Sequence, residues 1–162
     1  LAVYGEKVAI VFTAICFGLF HANIFQFFYA FGIGLVFGYV YCRTRDVKYS
    51  CIMHMIINFF GGTVSLWITG FLDFDTLGAI LEGNYDQQLL MDAYPSLMIF
   101  GAYFLAVIAV TITGLVLFIL NKKKIFFEHR ALQLLKGEAA QAVYLNAGFM
   151  IFAILSFVLP FP

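Results

Sequence analysis

The chain has 162 residues, 64% of them hydrophobic and only 11% charged, with nine Lys/Arg balanced by nine Asp/Glu. Average globular domains are about a quarter charged. With a mean hydropathy of +0.98, this composition excludes a water-soluble domain and predicts an all-α, polytopic transmembrane helix bundle of about five helices in a single membrane domain. It also gives no support to nucleic-acid binding, since no basic face remains once membrane orientation accounts for the cations.

The first predicted helix covers 8–20, after the polar Gly5-Glu6-Lys7. It is short for a span, which needs roughly 20 residues, and it stops at His21. A second covers 24–42 at spanning length. Its Gly34 and Gly38 form a Gly-x-x-x-Gly pair, which lets a neighbouring helix approach closely. The turn at 43–48 is charged (Arg43, Arg45, Asp46, Lys48). The third helix, 47–72, is long enough to span with some tilt. It carries His54 and Asn58, and Gly61-Gly62 is expected to kink it or admit close backbone contact. An acidic loop at 71–96, with room for a surface helix, is expected to end at Pro95. The cleanest spanning segment is 97–120, stopped by Lys122-Lys123-Lys124. An interfacial amphipathic segment is expected at 125–142, and a last helix at 143–159, ended by Pro160. Cys16, Cys42 and Cys51 form no Cys-x-x-Cys pair and read as small apolar residues.

Basic short loops stay cytoplasmic. That rule places 43–48 and 122–136 inside. The 73–92 segment, with five acids and no Lys or Arg, then lies outside.

Polar side chains in a lipid-facing helix are costly and usually point into a bundle or cavity. His54 and Asn58, four residues apart, lie one turn from each other on one helix face. Read by themselves they serve equally as a functional pair or as interhelical glue contributing about 0.6 kcal/mol. His21 alone reads as a helix-end residue beside Asn23, and Phe17 alone means little among 21 phenylalanines. The combination is more specific: Phe17-x-x-x-His21, one spanning helix, then His54-x-x-x-Asn58.

That combination resembles the CAAX-protease and bacteriocin-processing family of intramembrane endopeptidases, the type II prenyl-protein proteases and their bacterial relatives. The family's motifs are Glu-Glu-x-x-x-Arg, Phe-x-x-x-His and His-x-x-x-Asn (or Asp), each on its own helix. Phe17-Gly-Leu-Phe-His21 and His54-Met-Ile-Ile-Asn58 match the second and third. The text from Tyr4 through Thr44 is also similar to bacterial members. The likeness covers roughly 1–62, within a protease-like core at 1–72, and the helices at 97–120 and 143–159 carry no assignable motif. No Glu-Glu-x-x-x-Arg occurs in the chain, and Glu6 is a lone acid followed by Lys7. Family spacing puts that motif upstream of Leu1, so the expectation is a chain that holds part of the active site and is inactive alone.

The resemblance implies an intramembrane endopeptidase acting on membrane-tethered or lipidated peptides, in membrane lipid, with the bacterial cytoplasmic membrane as the expected location. An upstream glutamate and His21 would activate water. His54 and Asn58 would supply oxyanion donors. A divalent metal such as zinc is the other arrangement suggested for two histidines and an acid, and two histidines on different helices do not decide it. Two other readings stay open: a b-type haem electron carrier with His21 and His54 as axial ligands, and a non-catalytic immunity or scaffold protein. Geometry sets one demand. His54 lies roughly 9 Å past Lys48 and His21 roughly 21 Å past Lys7 along parallel helices, a mismatch of about 12 Å that the fold must absorb.

Overall fold

A computed structural model describes residues 5–128 and 136–158, and every regular element among them is helical. In chain order these are α1 (Glu6–Leu19), α2 (Ile24–Thr44), α3 (Val47–Asn58), a π-helical turn (Phe59–Val64), α4 (Ser65–Thr69), α5 (Phe74–Leu81), α6 (Gln87–Asn121), a 3-10 turn (Lys122–Lys124), α7 (Lys136–Tyr144) and α8 (Ala147–Val158). Among the described residues three runs are long and apolar enough to cross a membrane: Ile24–Thr44, Val47–Thr69 and Gln87–Lys124. The chain is that of an integral membrane protein. It divides into two compact units, Leu1–His54 with Phe126–Pro162, and Met55–Ile125.

The first unit is built on the α1–α2 hairpin. Asn23 starts α2 by accepting from the backbone N–H groups of Phe25 and Gln26 at 2.9 and 3.2 Å, as an N-cap side chain does. Arg45, in the left-handed region at φ 59°, ends it. The expected glycine pair forms the seam. A Cβ on Gly34 would lie 2.9 Å from the Ala14 Cα, and one on Gly38 would lie 3.2 Å from the Ile10 side chain. Ala14 and Ala30 are fully buried. Small residues on both helices bring the backbones together, and in lipid that close packing is a main source of helix association.

Glu6 starts α1 two residues earlier than the apolar pattern indicated and is far from a lone acid. Its side chain is 6% exposed and ion-pairs with Arg43 and, at 3.2 Å, with Arg45. It also accepts the Glu128 backbone N–H at 2.9 Å. Arg43 sits 4.4 Å from the Phe126 ring centre, and Lys7 sits 5.0 Å from that of Phe127. The outer pair, Arg45–Glu128 at 3.1 Å, is half exposed and contributes at most about 1 kcal/mol. The Glu6–Arg43 pair is the consequential one, since losing one partner of a buried pair costs about 3–5 kcal/mol.

α1 is covered on another side by α7 and α8. Phe12 meets Tyr144 and Phe149 at 5.9 and 5.2 Å between ring centres, and Phe20 meets Phe152 at 5.3 Å. The last helix starts at Ala147 rather than at 143. Asn146 interrupts it, donating to the Val143 carbonyl and accepting the Phe149 N–H. Of the expected interfacial segment, 129–135 lies outside the described residues, as does the end at 159–160.

In the second unit, Gly61 and Gly62 have no atom within 4 Å of a would-be Cβ. They admit no close contact and sit instead in the π-turn, where the Tyr103 hydroxyl donates to the Phe60 carbonyl at 2.7 Å. Asp73 caps α5 within the acidic segment. Pro95 does not end a loop: α6 begins at Gln87, capped by Asp86, and runs through the proline. An interior proline costs about 3 kcal/mol in ordinary helices, but membrane helices tolerate it where neighbouring groups re-satisfy the backbone.

Candidate active site

α1 ends one residue short of Phe20, and Ala22 at φ 47° turns the chain toward α2. His21 lies in that turn, and its ring folds back so that Nδ1 is 2.9 Å from the Phe17 carbonyl oxygen. A carbonyl can only accept, so Nδ1 is the donor here, which leaves Nε2 as the nitrogen that would act as acceptor in a neutral imidazole. The Phe17-x-x-x-His21 spacing is therefore a backbone device: one turn of helix aims the imidazole and sets its tautomer.

Phe17 also joins the two histidines. Its ring centre is 5.2 Å from that of His21 and 5.2 Å from that of His54, with edge-on geometry to both. Phe37 on α2 closes the cluster, 5.7 Å from Phe17 and 5.7 Å from His54. Edge-to-face pairs of this kind are worth about 0.5–1.5 kcal/mol beyond the area they bury. The 12 Å depth mismatch disappears for two reasons. The His21 ring folds back by about one turn, and α3 enters deep, with the Ser50 hydroxyl donating to the Phe37 carbonyl at 3.0 Å.

The structure thus gathers Phe17, His21 and His54 within one unit. Asn58 is the last residue of α3, one turn beyond His54, and belongs to the Met55–Ile125 unit. Phe37 and Ser50 were not singled out from the sequence. A signal for Ser50 was there: Ser50, His54 and Asn58 are spaced at four and four, a polar stripe on an otherwise apolar face. For Phe37 there was none.

Among the described residues no group of three or more His, Cys, Asp or Glu could hold a metal ion. Zinc takes three or four such ligands. These residues alone do not make a zinc site.

Residues 1–60 match the family model described as type II CAAX prenyl endopeptidase, Rce1-like. The match ends two residues past Asn58, so it covers both motifs and somewhat more than a third of the chain. It supports the resemblance to the CAAX protease family. No curated protein and no solved structure matches the chain.

Proposed function

We propose that this chain forms the membrane core of an intramembrane endopeptidase that hydrolyses a peptide bond in a membrane-tethered or lipidated substrate. The observation that carries the reading is the meeting of Phe17, His21 and His54 around one ring, because these are three of the four motif residues. The proposed location is a bacterial cytoplasmic membrane, with the site facing the cytosolic leaflet.

Each residue has a role suited to its chemistry. His21 Nε2 takes a proton from water as the water oxygen bonds to the scissile carbonyl carbon. The carbonyl oxygen then carries the charge, and N–H donors from His54 and Asn58 stabilise it. Collapse breaks the C–N bond, and the proton held on His21 passes to the leaving amine. A carboxylate to strengthen the base is absent from the two motifs present. A Glu-Glu-x-x-x-Arg helix outside this sequence would supply it.

The test is cleavage of a lipidated peptide in lipid bilayers. The 162-residue chain alone is expected to be inactive, and a longer chain with the glutamate motif ahead of it is expected to cleave. Losing a positioned base costs about 10²- to 10⁴-fold. In the cleaving chain, His54→Ala and Asn58→Ala lower kcat more than they raise KM, because oxyanion donors act mainly in the transition state. Equal rates for the short and long chains, with His54→Ala unchanged, would refute the assignment.

A further inference from the structure

We propose that Ser50 and Phe37 are positioning residues for His54, acting as a two-point clamp of α3 on α2. The proposal rests on the catalytic reading of His54 for its effect on turnover, but the clamp itself does not. A serine or threonine hydroxyl in a helix ordinarily bonds back to a carbonyl three or four residues earlier in its own helix. Thr13, Thr44, Thr111, Thr113 and Ser156 all do this here. Ser50 does not. It is 9% exposed, and its hydroxyl crosses to the Phe37 carbonyl on α2.

The same residue that accepts this bond through its backbone touches His54 through its ring. Ser50 and His54 are one turn apart on α3, so Phe37 holds α3 at two heights. Two attachments one turn apart fix both the rotation of α3 about its axis and its depth. A slip of one residue would turn His54 by about 100° and take its imidazole away from Phe17.

The experiment reads the imidazole directly. In the 162-residue chain in lipid nanodiscs with ring-labelled histidine, the His54 signals are assigned by their loss in His54→Gln. Ring currents from Phe17 and Phe37 displace those signals in the native chain. Ser50→Ala is expected to move them, and Ser50→Thr to restore them by keeping the hydroxyl. In the longer, cleaving chain, Ser50→Ala should lower kcat about tenfold with KM unchanged, a mild case of misplacing a reacting group. His54 signals that stay in place in Ser50→Ala overturn the clamp. Signals that move without any loss of turnover, where His54→Ala does abolish it, overturn the positioning role. If His54→Ala itself leaves turnover unchanged, the catalytic reading fails while the clamp stands on the spectra.

Discussion

A single carboxylate can be legible as a residue and illegible as a partner. Glu6 stands in the sequence next to Lys7, and nothing local indicates that its partners are 37, 39 and 122 positions away. Yet it is the most buried ionised side chain in the ion-pair network, and it accepts from a backbone amide as well as from two guanidinium groups. Glu6→Gln keeps the shape and removes the charge, leaving Arg43 with Glu128 as its carboxylate at 3.7 Å. The expected loss is about 3 kcal/mol, the low end for a buried pair deprived of one partner. Glu128→Gln should cost no more than about 1 kcal/mol, because its side chain is half exposed and screened. Reversible unfolding in mixed detergent micelles separates the two. Equal losses would mean that Glu6 is no better shielded than its partners. His21 contrasts with Glu6: its hydrogen bond is to the residue four before it, so the Phe17-x-x-x-His21 motif that singled it out, in combination with His54-x-x-x-Asn58, already contained the partner.

At the scale of elements, the parts that depend on local chemistry could be read and the parts that depend on neighbours could not. The start of α2 at residue 24 and Gly34-x-x-x-Gly38 as a packing face are local signals, and both appear in the structure. The beginning of α6 is the opposite case. Proline ends helices so often in water that Pro95 looked like a boundary, but Asp86 caps the helix nine residues earlier. The break before α8 depended on what Asn146 would bond to, and that was visible only in the fold. The glycine seam makes a graded prediction. Gly34→Ala places a methyl group against backbone at 2.9 Å and should destabilise by about 1–3 kcal/mol, as overpacking does. Gly38→Ala meets the Ile10 Cγ2 methyl at 3.2 Å, with backbone no closer than 3.4 Å, and should cost less, while Gly32→Ala has open space and serves as the control. Thermal unfolding in detergent should rank the three in that order. A Gly34→Ala variant as stable as Gly32→Ala would rule out the seam.

For the molecule as a whole, orientation follows from charge. The basic turn at 43–48 and the Lys122–Lys124 run are separated by two of the three candidate spans, so the rule for cationic loops places both on the cytoplasmic side. A cysteine placed at Asp86 is therefore expected to react with a membrane-impermeant reagent in intact cells, and one placed at Lys123 to be protected. The reverse pattern would invert the topology. Hydropathy made the membrane class and the long spans legible, since twenty apolar residues in a row have few other uses. The pairing of chain ends escaped the reading because it rests on a handful of contacts between residues far apart in sequence.

That pairing has a consequence for anyone cutting the gene. The family match stops at residue 60, which invites a minimal fragment ending there. The unit that holds both histidines is discontinuous, however, and takes its second part from beyond residue 125. A fragment of the first sixty residues would keep Phe17, His21 and His54 but strip α1 of the aromatic cover from Tyr144, Phe149 and Phe152 and deprive Arg43 of Phe126. The motif-bearing stretch and the folding unit have different boundaries, and a shortened version should drop material from the middle of the chain before it drops the end.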